Sequence, residues 1–374
     1  FFLDEVQGLP AFQDVLVASA TYDLTVWLGA APGAVAGDEI AVDSVGRVYV
    51  LVQATEATSG WGTLQRTAIV RWTPAPDAGS APTLETLLVE DRVWDEVLQD
   101  RVGQMITHVM VASSALGPDI AADDLLFVLD GELLYAADPD NATDSGTLIA
   151  DVDLSAWYAH WTISPATGRI YCLGDGRTNP AVEYPDGSIG NGTTPIHEIA
   201  WNGVTYTDSE VTSKDVAAQD LIAGADGYLY TLMPTYDSPE ENTVLRVDPG
   251  TGGYSQHATI KTVLYNDTSN FFGWAFDSDG QLWCAGVLRT KRKSQIRSYL
   301  SPVVSGNQTT ESDSIVAFDG TFSASWSMTG GPAGTLYVGE PSAVYRLDPD
   351  TSSGGGGGGD TGGSGKGGGK GKNK

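Results

Sequence analysis

Short apolar runs separated by Asp- and Gly-containing turns recur along this chain, and residues 220–260 give the clearest instance. Leu221-Ile222-Ala223 is followed by a turn at Ala225-Asp226-Gly227, the run Tyr228 to Met233, a polar stretch, and Val244 to Val247. A second turn, Asp248-Pro249-Gly250-Thr251-Gly252, leads into Tyr254 to Ile260. Runs rich in β-branched and aromatic residues, broken by such turns, predict an antiparallel meander whose strands are labelled a to d in chain order.

The a-turn-b pattern returns at Ile40 to Tyr49, Trp161 to Tyr171, Trp274 to Trp283, and Trp326 to Tyr337. Strand c returns at Ile69 to Trp72, Leu134 to Pro139, Val244 to Pro249 and Val344 to Pro349, with weaker copies at Ile199 to Trp201 and Ile315 to Phe318. These repeats divide the chain into units at about 38–90, 105–153, 158–212, 217–260, 271–325 and 326–350. Repeated sheets of this size bury their faces against one another around an axis, which predicts an all-β fold, a six-bladed β-propeller of four-stranded antiparallel blades.

The last unit stops after strand c, because Asp348-Pro349-Asp350-Thr351 runs into six glycines. A missing outer strand leaves an unpaired edge. The N-terminus can fill it: Tyr22, Leu24, Val26 and Leu28 alternate with Thr21, Asp23, Thr25 and Trp27, the period of a half-buried strand. Residues 1–350 therefore read as one domain closed by a strand at about 21–28, followed by a flexible Gly- and Lys-rich tail at 351–374.

In a propeller the a-b and c-d turns share one face, and the b-c and d-a connections share the other. The second set reads as long here, at about 53–67, 174–196, 233–243, 287–314 and 90–106. Long loops in a compact domain concentrate function, so a binding site is expected on that face. Within residues 90–106, Val93, Trp94, Val97, Leu98, Val102, Met105 and Ile106 follow a 3.6 period with Asp91 as an N-cap, predicting a short helix packed on the propeller.

Charge narrows the partners. The tail holds four lysines and one acid, leaving 16 basic against 47 acidic residues and a net charge of −31 in the first 350 residues. Such a body repels phosphate and argues against nucleic-acid binding, while suiting a salty or extracellular medium. No apolar run is long enough to span a membrane as a helix. The sequence starts at Phe1, as a chain cleaved from a leader does, and carries Asn-x-Thr sequons at Asn141, Asn191, Asn266 and Asn307. Together these predict a secreted or cell-surface glycoprotein. Cys172 and Cys284 each follow the aromatic of a strand b, on different blades, and read as buried free thiols.

Candidate binding residues fall in the long connections. Arg289, Lys291, Arg292, Lys293 and Arg297 gather five of the body's 16 positive charges, an anomaly on an acidic surface that suits an anionic glycan or acidic neighbour. Trp61 and Tyr184 lie in long loops where they can meet a glycan or protein, whereas Trp161, Trp274 and Trp326 repeat at the start of strands a and read as packing between blades. No His-Glu-x-x-His, G-x-S-x-G or Cys/His zinc spacing occurs, so no catalytic residue is assigned. Asp38, His160 and Asp220 precede strands a and form an alternative oxygen- and imidazole-bearing metal set at the channel mouth.

The repeat, x-D/S-x-x-G followed by L/I-Y/W and V-Y-R-L-D-P-x-T, resembles six-bladed propellers of the NHL-repeat and gluconolactonase-like kind over about residues 12–350. The resemblance implies the fold and, for the lactonases, a calcium or zinc site in the channel. The expected function is a secreted, non-enzymatic binding or structural module of an extracellular assembly, self-assembling or meeting protein or glycan, with no cofactor. The alternative is a metal-dependent hydrolase or lactonase using a divalent cation such as calcium.

Overall fold

The computed structural model describes residues 16–23, 35–57, 63–74, 82–95, 97–98, 100–141, 145–152, 159–174, 182–183, 189–190, 196–212, 221–234, 241–261, 273–278, 280, 282–288, 293–299, 309–310, 314–318, 327–340 and 343–349. Sheet 1 holds strands a to d at Val35–Val42, Val48–Ala57, Thr63–Thr73 and Thr83–Asp95, with a fifth strand at Asp100–Gly103. Sheet 2 runs Ile106–Val111, Leu125–Leu129, Leu133–Ala137 and Thr147–Asp151. Sheet 3 runs Ala159–Ile163, Ile170–Gly174, Ile196–Trp201 and Tyr206–Thr212. Sheet 4 runs Leu221–Ala223, Leu229–Pro234, Glu241–Asp248 and Gly253–Lys261, and Thr309–Thr310 adds to its outer strand in parallel. Sheet 5 runs Trp274–Phe276, Leu282–Leu288, Lys293–Tyr299 and Ser314–Phe318. Sheet 6 runs Met328–Gly330, Leu336–Glu340 and Ala343–Pro349, and its outer strand is the N-terminal Leu16–Asp23.

These antiparallel sheets take a propeller arrangement, with strands a of sheets 1, 2, 3 and 4 side by side in that order, strand a of sheet 5 meeting that of sheet 6, and strand a of sheet 6 meeting that of sheet 1. The sequence predicts six blades; five are counted in the structure, and six sheets of four or more strands are present among the described residues. Departures from regularity are visible in strands a of sheets 4, 5 and 6, each only three residues long, and in the added strands of sheets 1 and 4.

The repeated residues interlock within each blade. Tyr49, Tyr171, Tyr230 and Tyr337, each in a strand b, are among the largest fully buried side chains. A buried phenol or indole needs a polar partner, and the Asp of the a-b turn supplies one. Tyr49 donates to Asp43 at 3.1 Å, Tyr230 to Asp226 at 2.6 Å, and the Trp283 indole N–H to Asp277 at 2.7 Å. Apolar residues of neighbouring sheets then share cores: Trp161, Ile170 and Cys172 pack with Met110, Leu126 and Leu134, and Tyr230 and Val244 pack with Trp274 and Leu282. Trp161 and Trp274 are buried packing residues; Trp326 lies outside the described residues.

Polar contacts also bind sheet 1 to sheet 2. The Asp140 carboxylate, in the c-d turn of sheet 2, accepts from Arg47 at 2.6 Å and Arg71 at 2.8 Å, while Arg71 also reaches Glu85 at 2.8 Å. The two guanidinium groups hold Asp140 below the usual carboxylate range. Cys172 is a buried free thiol pushed well above its usual pKa by that burial, and Cys284 sits on a different sheet.

At Gly330, strand a of sheet 6 approaches sheet 5 so closely that a Cβ would lie 2.2 Å from the Phe276 carbonyl oxygen. Gly330→Ala is expected to lower stability by about 1–3 kcal/mol, because backbone rather than a pliable side chain must move. A urea titration measures it, and an unchanged midpoint would count against this close approach.

Several sequence expectations are corrected. The described residues of 90–106 form strands in place of the expected helix: Thr83–Asp95 is followed by Asp100–Gly103, pairing Val93 with Val102 and Asp95 with Asp100. Valines spaced to mimic a helical stripe serve equally well in strands, and here β-branching and tight turn chemistry decide. The expected loop at 53–67 is mostly strand, with Val48–Ala57 and Thr63–Thr73 paired almost to their tip. The expected loop at 287–314 contains strand c of sheet 5 at Lys293–Tyr299, so Ile315 to Phe318 belongs to strand d. Lys293–Tyr299 is an inner strand, paired with Leu282–Leu288 on one side and Ser314–Phe318 on the other, although Lys293 and Arg297 give it the polarity of a connection. The N-terminal strand lies at Leu16–Asp23, upstream of the expected 21–28, and residues 24–28 lie outside the described ones.

Candidate functional site

The most prominent departure from blade geometry is the extension of sheet 1. Strands b, c and d of this sheet run 10, 11 and 13 residues, and all three continue toward the face that carries b-c and d-a connections. Strand d then folds back as a hairpin. At its turn the Asp95 carboxylate accepts the backbone N–H groups of Val97 at 2.7 Å and Leu98 at 3.0 Å, an Asx turn. Gly103 has φ of 101° and sits where a Cβ would lie 2.1 Å from the Asp91 carbonyl oxygen, so only glycine fits this close pairing.

The hairpin is braced by charge and tipped with apolar residues. Arg66 grips Asp91 across strands c and d with two bonds of 2.7 and 2.9 Å, a bidentate pair that holds the Asp91 carboxyl below its usual range. Glu90 shifts the other way, raised by burial and then by the nearby Asp91 and Asp130 charges. Val93 and Val102 face each other across the hairpin and are 44% and 43% exposed, while Val97 and Leu98 at the turn are 90% and 65% exposed. Val89, on the same strand, is also exposed. Five exposed aliphatic side chains thus lie along this one extension, and exposed apolar surface gathered in one region is what marks a contact surface.

A second grouping lies where strands a meet. Sheet 1 supplies Glu39, sheet 2 His108 and sheet 3 His160. His108 Nε2 stands 3.6 Å from the Glu39 carboxylate, and the His108 and His160 rings meet edge to face with centroids 6.4 Å apart. Burial first, and the neighbouring His160 second, pull His108 down to about 3, so it is a neutral imidazole. Its Nδ1 is buried without a protein partner. Among the described residues no three His, Cys, Asp or Glu side chains stand close enough to hold a metal ion.

Of the residues singled out from sequence, His160 belongs to this grouping. Asp38 lies in strand a of sheet 1, its side chain outside the described set, and Asp220 lies outside the described residues. Arg289, Lys291, Arg292, Trp61 and Tyr184 also lie outside them; Lys293 and Arg297 occupy strand c of sheet 5, opposite Leu288 and Cys284. Of the sequon asparagines, Asn141 is exposed in the c-d turn of sheet 2, and Asn191, Asn266 and Asn307 are outside the described residues. Sequence reasoning missed Glu39 and His108. Both immediately precede the apolar core of a strand a, in Glu39-Ile40 and His108-Val109, just as in His160-Trp161. Blade alignment at that position would have found them.

No protein-family model matches the chain. No curated protein matches it. Among solved structures, a fungal alcohol oxidase in complex with copper is similar at 13% identity and a TM-score of 0.40, covering 90% of this chain and 76% of the oxidase. A putative 6-phosphogluconolactonase from Bacteroides uniformis is similar at 13% identity and a TM-score of 0.36, covering 76% of this chain and 96% of that protein. A protein of unknown function from Dyadobacter fermentans gives 9% identity and a TM-score of 0.40, covering 89% and 99%. Likenesses this distant carry no argument about activity.

Proposed function

We propose that this chain is a secreted, non-catalytic six-bladed propeller that acts as a binding or structural module of an extracellular assembly, docking through the face that carries the b-c and d-a connections. The observation that carries this reading is the sheet 1 extension, whose Val89, Val93, Val97, Leu98 and Val102 are exposed together on a braced hairpin. Burying exposed aliphatic surface drives association, while the Arg66–Asp91 clamp preorganises the hairpin and lowers the ordering cost of binding. The sequons and the acidic body support an extracellular setting.

The test is to return purified full-length protein to its native surface after the endogenous copies have been stripped. Wild type is expected to rebind saturably. Val97→Asp with Leu98→Asp leaves the core untouched, because both residues are at the exposed tip, and is expected to weaken rebinding by about tenfold or more. Equal rebinding by the two proteins would sink the proposal.

A further inference from the structure

The opposite face, which carries the a-b and c-d turns, holds a cleft of about 280 Å³ between sheets 2 and 3. One wall is the connection after strand a of sheet 2, represented by Ser114, Ala115 and Leu116. The other is sheet 3: Thr167 and Arg169 from its a-b turn, Ile170 and Ile199 from strands b and c, and Trp201 and Tyr206 flanking its c-d turn. Loop length did not draw attention here, because most turns on this face are short; the stretch from Val111 to Leu125 is one of the longer ones.

The cleft is built rather than left over. The Leu116 N–H donates to the Ile120 carbonyl at 3.1 Å, folding the connection onto itself, and Asp119 N–H reaches the Tyr206 hydroxyl at 3.4 Å. At Gly117 a Cβ would stand 2.4 Å from the Tyr206 hydroxyl, and at Gly168 one would stand 2.9 Å from Leu116. Both glycines have positive φ, so the walls are set by backbone that other residues resist. The c-d turn is likewise fixed: Asn202 Oδ1 accepts from Val204 and Thr205 at 2.9 and 3.0 Å.

Its lining combines two chemistries. Trp201 and Tyr206 form an aromatic corner, with ring centroids 5.1 Å apart and planes at 59°. Beside them Arg169 bonds to Glu198 at 2.7 Å, and half of the Arg169 side chain remains exposed at the cleft. Because Glu198 already balances the guanidinium, the site presents directional donors without a net charge that selects anions. Ser114 and Thr167 contribute residues with hydroxyl side chains to the lining.

We propose that this cleft binds a neutral saccharide. A pyranose ring has an apolar C–H face and an equatorial girdle of hydroxyls, and this lining offers aromatic surface for the first and a guanidinium with hydroxyl-bearing neighbours for the second. The site is independent of the sheet 1 hairpin, on the other face of the propeller, so either can fail without the other.

Saturation-transfer NMR on the full chain tests it, with methyl β-glucopyranoside, methyl β-galactopyranoside and methyl α-mannopyranoside as neutral probes and glucuronic acid as the charged one. Saturable transfer to a neutral glycoside is expected, with affinity about tenfold weaker in Trp201→Ala. Should that variant fold poorly, Ala115→Trp fills the cleft from an exposed wall position and is expected to weaken binding equally. The Val97→Asp/Leu98→Asp protein is expected to bind the sugar like wild type. Absence of transfer to every neutral glycoside, transfer unchanged in Ala115→Trp, or binding confined to glucuronic acid and abolished by salt would each overturn the proposal.

Discussion

Deleting residues 12–28 is expected to unfold the whole propeller rather than trim one edge, lowering stability by more than about 4 kcal/mol. Leu16–Asp23 is the outer strand of sheet 6 and pairs antiparallel with Ala343–Pro349 through seven residue pairs, from Leu16↔Pro349 to Asp23↔Ala343. Its loss removes a ladder and exposes the backbone edge of Ala343–Pro349, where Val344 and Leu347 are fully buried. Val344 also belongs to a core shared with Ile40, Val50 and Trp72 of sheet 1, so damage to sheet 6 passes directly into its neighbour. Calorimetry of the truncated and full-length chains measures the effect. A truncated protein that melts at the same temperature as the full one would show that the ends do not support each other.

Acid should destabilise the protein through His108, and the sign follows from its burial. Its folded-state value is pulled down to about 3, below the ordinary histidine value of about 6.5 expected in an unfolded chain. Above pH 6.5 both states carry the neutral ring and the group contributes no pH dependence. As pH falls from 6.5 toward 3, the unfolded chain takes up a proton that the folded one refuses, and stability is lost at up to about 1.4 kcal/mol per pH unit. The charged or titratable groups facing the ring are Glu39 from sheet 1 and His160 from sheet 3. Between pH 7 and pH 5 wild type should therefore lose about 2 kcal/mol more than His108→Gln, measured by urea unfolding at each pH. Parallel losses in the two proteins would mean that His108 is protonated as readily folded as unfolded.

The blades were legible because their signature is chemical as well as periodic. The Asp of an a-b turn and the aromatic of strand b recur in sequence, and Asp43 with Tyr49, Asp226 with Tyr230, and Asp277 with Trp283 are hydrogen-bonded pairs in the structure. The hairpin was not legible. Val93, Val97 and Val102 satisfy a helical spacing, and nothing local says whether such a stripe will find a surface to cover. Strand c of sheet 5 was hidden for a different reason, because a run with Lys293 and Arg297 resembles a solvated loop until its partner strand is known. The histidine grouping arises only when three blades are set side by side, and the Trp201 cleft only when the connection after Val111 is folded against the next sheet.

The pairing of Leu16 with Pro349 also fixes how this protein would carry tension. The chain enters and leaves the paired region at the same end of the same two-strand ladder. Pulling the two ends apart loads the hydrogen bonds one after another, as a zipper opens, instead of all together as in shear. Held at both ends, the ring is mechanically weak at its seam.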